Sequence, residues 1–567
     1  MNRPHRIDDR SAATTYRGIL VLIRVTIFDG ARPFAVSAPE HLRMAVGAGR
    51  SRAVVRLLLV GTLLGALAGC RAPIVKPEAF LDEVLADGFL PDGLVEEERW
   101  EERVVHVGPS WMEANSSSHL TFARYRDPET GDVFALVLEA DAQNDRLVLL
   151  RLRSDETPLD AVATPEKRAA LLQISRRYVA GEPAPGALEL SLSEVIAERR
   201  LGVPIADPRR VLAVAASFPS HLEVDLGIGR EHHRAIAETP PRVFQKHPFV
   251  RPPEEGAVTD FRFRGTIGPF DEIVYPEEIA LPADENQVTN WTRTALDYEV
   301  ELGVVIGRDL EWEDIKDATD EQIYSAIAGY VLVSDVKARN PQVFERALAR
   351  GEKPDSWDAY YRTGDPDVDL LLGNWTQTTC AWWGYAASLG DFAAIGPYFV
   401  AAGGEDRLPP RALLAARAFG PEEARGAPVP SGRTDGSYYL RQCSRVTTDP
   451  SSEDALLWNV PAIVRGILSP GSALHFEEGS RKLERGDVVA LGTPGGIVLT
   501  ARHHSFYRML GKVLFWWSAI DWHDAFFGKD LALYLREGDR TFFWAEGLGY
   551  QNLLVRAART EIVRAAR

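Results

Sequence analysis

Apolar and polar positions along this chain alternate mostly in short runs, the signature of strands. From about Leu120, the stretches Asp132-Val133-Phe134-Ala135-Leu136-Val137-Leu138 and Arg146-Leu147-Val148-Leu149-Leu150-Arg151 read as strands, and Pro165–Val179 reads as a helix. Together they predict a small N-terminal α+β domain over 119–204. Around Asp207-Pro208 to Ser220 the pattern turns to an apolar strand, and no internal repeat or low-complexity tract follows. The region 205–558 is therefore expected to form one larger strand-rich domain, and 559–567 a C-terminal tail. The expected fold class is strand-rich α+β.

The N-terminal pattern is different. Arg50, Arg52 and Arg56 precede the apolar run Leu57–Ala66, which closes on Leu67-Ala68-Gly69-Cys70. That is the three-part layout of an export signal. The run falls short of the roughly 18–20 apolar residues that span a bilayer, and its ending is similar to the bacterial lipobox, in which the cysteine is lipidated. Residues 1–69 are thus expected to be an export region, with Met44 as an alternative start. Residues 70–118, acid- and proline-rich, read as a tether from a lipidated Cys70. The expected location is the bacterial cell envelope, lipid-anchored and periplasm-facing. The competing expectation is a cytoplasmic chain in which this run is a buried helix.

Composition narrows the function. Of 567 residues, 45% are hydrophobic and 26% charged, enough apolar content for more than one packed core. The net charge of -17 repels phosphate backbones, so nucleic acid is not an expected partner. The three cysteines form no zinc-type cluster, and Cys380 and Cys443 are left as an open pair.

Candidate chemistry sits on the strand Leu296–Gly307. Alternation puts Asp297, Glu299 and Glu301 on one face and Tyr298, Val300 and Leu302 on the other. Crowded carboxylates repel one another unless the face is solvated or a cation occupies it. A helix-like stretch, Asp320–Ala328, leads to a second apolar strand, Tyr330–Val333, and this ends in Ser334-Asp335. An all-oxygen set of Glu299, Glu301 and Asp335 suits Mg²⁺, Mn²⁺ or Ca²⁺. The alternative is a wet edge strand with scattered acids.

These segments, taken in order, resemble the fumarylacetoacetate hydrolase family. Asp297–Gly307 resembles its Asp-Tyr-Glu-Val-Glu-Leu strand. Ala328-Gly329-Tyr330 follows, and then Asp335-Val336-Lys337-Ala338-Arg339, where the family reads Asn-Asp-Val-Ser-Ala-Arg. Gly396-Pro397-Tyr398, Leu491–Gly496 and Glu546–Gly549 continue the likeness, which spans about 205–558 with insertions near 343–386 and 503–535. The resemblance implies a mixed β-roll, a metal held by Glu299, Glu301 and Asp335, and substrate contacts from Arg339, Gln342 and Thr493. It places the catalytic histidine on His233, beside its twin His232.

This chain departs from the pattern at several points. Gly229 and Arg230 stand where the family has asparagine and tyrosine, and the carboxylates flanking His233 are Glu231 and Glu238. Ala387 stands where the family has a substrate-contacting lysine, and Lys353 in the first insertion is a candidate replacement. The second insertion carries an aromatic run from Phe506 to Phe527, read as core or interface packing or as a membrane-surface helix. The resemblance implies a metal-dependent hydrolase cleaving a carbon–carbon bond of a β-diketo or keto acid, with a homodimer as the expected assembly. The alternatives are a family-type decarboxylase, isomerase or hydratase, and a catalytically impaired carboxylate-binding lipoprotein.

Overall fold

The computed structural model describes residues 27–29, 32–34 and 94–95, and the chain from 104 onward apart from certain stretches. These are 247–265, 277–278, 285–286, 292–294, 340–386, 388–391, 404–410, 421–437, 448–454, 473–480, 498–533, 559–562 and 565–567, together with positions 207, 209, 227 and 419. Cys70, Gln342, Lys353, Cys380 and the aromatic run 506–527 lie outside the described residues. Cys443 is described and buried. The chain divides into two units, Met1–Ala72 and Pro73–Arg567. In the first, Ile27–Asp29 pairs antiparallel with Arg32–Phe34.

The second unit is built on a mixed 12-stranded sheet. Its main strands are β1 (Thr121–Asp127), β2 (Gly131–Asp141), β3 (Arg146–Arg151), β4 (Ala187–Ser191), β5 (Val211–Ala215), β6 (Arg242–Gln245), β7 (Leu296–Ile306), β8 (Ile327–Ala338), β9 (Ile395–Ala401) and β10 (Val488–Ala490). They lie in the order β6-β5-β10-β7-β8-β9-β1-β2-β3-β4. The pairing of β5 with β10 is parallel and that of β7 with β8 antiparallel. The segment expected as a small N-terminal domain thus contributes β1 to β4 to the same sheet as the 205–558 region, joined through the β1–β9 pairing. Its expected helix forms over Pro165–Val179, with Thr164 as N-cap and proline at the first turn, where no amide bond is lost.

β7 and β8 are buried along their whole length, so both faces must be packed or paired. On one face, Val300, Leu302 and Val304 enter the core, each contributing about 1.5–3 kcal/mol by burial. A second sheet, which includes Arg411–Ala418, Tyr438–Val446, Arg540–Ala545 and Gly549–Ala558, packs against it. Tyr298 meets Phe543 edge-on there, with ring centroids 6.2 Å apart. Where the β8–β9 register shifts between Val331 and Val333, buried Gln551 Nε2 lies 3.1 Å from the Leu332 carbonyl and meets the need the bulge leaves.

The strand expected to end at Asp335 continues to Ala338. Asp335 sits inside the ladder because the polar residues that follow find partners across it. Glu299 pairs in register with Asp335, and Asp297 with Lys337.

Candidate metal centre

Strand alternation brings Asp297, Glu299 and Glu301 of β7 and Asp335, Lys337 and the following Arg339 of β8 to one buried face. The carboxylates of Glu299, Glu301 and Asp335 offer ligand oxygens that all lie within 4.8 Å of one another. Such a set of hard oxygen donors fits a divalent cation such as Mg²⁺. All three residues are buried, so no bulk water screens the mutual repulsion of these carboxylates.

Three cations surround the triad. Lys246 Nζ lies 2.5 Å from Asp335 Oδ1. Lys337 Nζ lies 2.7 Å from Glu299 Oε2 and 2.7 Å from Asp335 Oδ2. Arg339 donates from Nε to Asp297 Oδ2 at 2.8 Å and also reaches Glu299. The face therefore carries one more carboxylate than cations. Burial pushes the Glu301 carboxyl well above its usual range, and the negative charge of Asp335 adds to this. Burial acts the same way on Asp335, but Lys246 and Lys337 outweigh it and hold that carboxyl low. Burial disfavours the Lys337 ammonium, yet Asp335 and Glu299 more than compensate and keep it charged.

The loop after β10 closes one side of this centre. Gly492 N–H donates to Glu301 Oε2 at 2.9 Å. Gly492 has φ +94°, and a side chain there would collide with Ser217 Oγ and come within 2.7 Å of the Val214 carbonyl. Thr493, buried, accepts at Oγ1 from Gln442 Nε2 at 2.9 Å, and Gln442 Oε1 accepts from Val300 N–H at 3.0 Å. The loop is thereby fixed to the strand that carries the glutamates.

Four residues further along, the same loop reaches a second group. Gly496 N–H lies 3.0 Å from Asp225 Oδ2, and that oxygen is 2.7 Å from His221 Nδ1. Both residues are buried on a π-helical turn, His221–Leu226, entered from β5 through Ala216 at φ +59°. Wide turns and left-handed non-glycine residues are uncommon and gather at functional sites. Burial raises the Asp225 carboxyl against the opposing pull of His221.

The residues expected from sequence fall as follows. Glu299, Glu301 and Asp335 come together, and Arg339 joins them, its fork engaged by Asp297 and Glu299. Thr493 is on the loop that touches Glu301. His233 opens the short helix His233–Ala237, with Nε2 3.9 Å from Glu223 Oε1 and without a hydrogen-bond partner among the described residues. Burial lowers its pKa, with Glu223 opposing. His221, Asp225 and Lys246 were not singled out from sequence. The four-residue spacing of His221 and Asp225 was a usable signal, since one helical turn brings such a pair together. Lys246 lies far from Asp335 in sequence and gave none. Ala387 is buried, and its carbonyl is 3.3 Å from Lys246 Nζ.

Residues 233–360 match the family model described as fumarylacetoacetate (FAA) hydrolase C-terminal. A 2,4-didehydro-3-deoxy-L-rhamnonate hydrolase of Sphingomonas sp. (strain SKA58) is 31% identical over 157 residues, which is 28% of this chain and 40% of that protein. The match thus spans less than half of that relative. Among solved structures, a 2-hydroxyhepta-2,4-diene-1,7-dioate isomerase from Mycobacterium marinum aligns at 17% identity and a TM-score of 0.38, over 78% of this chain and 100% of that one. A fumarylacetoacetate hydrolase from Exiguobacterium antarcticum aligns at 18% identity and a TM-score of 0.38, over 77% and 100%. The stretch 233–360 is thus similar to the fumarylacetoacetate hydrolase C-terminal family model, and the buried acidic triad lies within the matched stretch.

Proposed function

We propose that the protein is a divalent-metal-dependent hydrolase that cleaves a carbon–carbon bond of a β-diketo or related keto acid. The observation that supports this most is the single loop, Leu491–Ile497, that hydrogen-bonds both the triad, through Gly492, and the His221–Asp225 pair, through Gly496. A cation held by Glu299, Glu301 and Asp335 would supply Lewis-acid polarisation of the substrate's keto oxygens.

The protein's own residues supply the rest. With Asp225 ionised, His221 Nδ1 donates to it and Nε2 is the basic nitrogen. His221 takes a proton from water, the hydroxide adds to the carbonyl carbon, and the carbon–carbon bond breaks with its electron pair on the departing carbon. The imidazolium then returns its proton to that carbon. Asp225 holds the ring in one tautomer and stabilises the imidazolium. Thr493 and Gln342 position substrate oxygens, while Arg339 positions Glu299. Ala387 in place of a lysine favours a second reading, a carboxylate-binding protein without turnover.

Assay of the purified protein on acylpyruvates and oxaloacetate with Mg²⁺ or Mn²⁺ separates these readings. The expected result is metal-dependent acylpyruvate cleavage that falls by about 10²–10⁴-fold in His221→Asn. Release of CO₂ from oxaloacetate alone makes the protein a decarboxylase, and oxalate binding without any turnover makes it a binder. We further propose a lipid-anchored, periplasm-facing homodimer. Retention of Cys70→Ala in the membrane fraction, or a monomeric mass in solution, counts against it.

A further inference from the structure

Lys337 has no part in the proposed reaction, yet it stands at the centre of the site. Alternation along β8 puts it on the face of Asp335 and Arg339, and it is buried. Its ammonium is 2.7 Å from an oxygen of Glu299 and 2.7 Å from an oxygen of Asp335, so it bridges two of the three triad residues from opposite strands. The Phe244 ring, 4.9 Å from Nζ, covers another side of the ammonium. A divalent ion ligated by Glu299 and Asp335 requires the same oxygens at about 2.0–2.6 Å. A divalent ion on those oxygens and the ammonium beside them stand close together, and their mutual repulsion in a buried site opposes both being held at once.

We infer that Lys337 is a tethered counter-ion that occupies the divalent-ion position of the triad in the metal-free protein, and that metal loading requires its ammonium to leave Glu299 and Asp335. The inference rests on the triad being a metal site. It makes Lys337 a built-in competitor: its ammonium offsets part of the acidic face's charge without metal, and the ion binds more weakly than the ligand set alone would allow. A substrate bearing a carboxylate favours loading by giving the displaced ammonium a new partner.

The test is Mn²⁺ binding, followed by calorimetry and by the Mn²⁺ electron paramagnetic resonance signal, on wild type, Lys337→Ser and Lys337→Arg. Lys337→Ser should bind Mn²⁺ about 10–100-fold more tightly than wild type, and Lys337→Arg no more tightly than wild type. In EDTA, Lys337→Ser should melt below wild type, with Mn²⁺ restoring it. If Lys337→Ser folds only when Mn²⁺ is present, that too supports the inference, since the ion then takes over the lost charge. Equal Mn²⁺ affinity in wild type and a folded Lys337→Ser overturns the inference and leaves the metal reading standing. Absence of Mn²⁺ binding in every variant overturns the metal reading itself.

Discussion

Glu299 and Asp335 face each other directly across the antiparallel pair of β7 and β8, both buried. Like charges in that relationship destabilise a sheet, so the pair persists because cations lie on it. Lys337 touches both, Arg339 reaches Glu299, and Lys246 reaches Asp335.

Glu299→Gln keeps the side-chain shape and removes the charge that Lys337 and Arg339 neutralise. Breaking one partner of a buried ionic cluster costs about 3–5 kcal/mol. Chemical denaturation in EDTA should show a loss of that order, and Mn²⁺ binding should weaken in parallel. The double variant Glu299→Gln/Lys337→Gln should recover part of the stability, because it removes a buried cation that has lost one of its two partners while Asp335 keeps Lys246. A single variant as stable as wild type would mean that the cluster is not held by these pairs.

The two histidines make opposite predictions. His221→Asn removes the group that Asp225 orients beside the metal loop, and turnover should fall by about 10²–10⁴-fold. His233→Asn removes a ring whose nearest carboxylate is 3.9 Å away, and the loss should be much smaller. Steady-state kinetics on both variants at a saturating metal concentration decides between them. A larger loss in His233→Asn returns the base to that residue.

The acidic strand was legible because strand periodicity is two: Asp297, Glu299 and Glu301 share a face whatever the tertiary fold does. The same rule puts Lys337 beside Asp335, and only the extent of β8 hid it, since a run of charges normally marks a strand's end. Here those charges pair across the ladder and the strand continues. The His221–Asp225 pair was harder to see. Its helix is a single wide turn with no apolar stripe, and the family pattern falls on the two histidines that follow it, His232 and His233. Lys246 directly follows β6, which is linked to β8 only through the folded sheet, so its contact with Asp335 has no local signature.

One ion pair far from the centre sets an acid-side dependence of stability. Asp160 caps the helix Pro158–Ala161 with Thr157 and lies 2.7 Å from Arg485, which joins the β1 to β4 region to the approach to β10. Burial alone would raise this carboxyl, but the hydrogen bonds from Arg485 and Thr157 outweigh it and take it down to about 2. A depressed folded pKa contributes stability that is present above the unfolded value, about 3.9, and is lost as pH falls through about 2. Asp160→Asn should therefore melt below wild type at neutral pH, with the gap closing as the pH falls from about 4 towards 2. The pair is partly exposed, so the gap is expected to be small and to shrink with added salt. A gap that stays constant over that range would show that the helix cap, and not the ion pair, carries the effect.

Gly492 is the position where backbone conformation meets the acidic triad. Its φ of +94° costs a non-glycine residue about 1–3 kcal/mol, and a Cβ there would strike Ser217 Oγ and press on the Val214 carbonyl. The loop can relieve that contact only by moving away from β5, which withdraws the Gly492 N–H from Glu301 Oε2. Gly492→Ala should thus lower the melting temperature and weaken Mn²⁺ binding together, whereas a purely conformational penalty would lower the first alone. Gly108→Ala is the control: its backbone is extended and a Cβ meets nothing within 4 Å, so both measurements should stay at wild-type values. If Gly492→Ala loses stability but binds Mn²⁺ as wild type does, the loop amide is not needed to hold Glu301 in the ligand set.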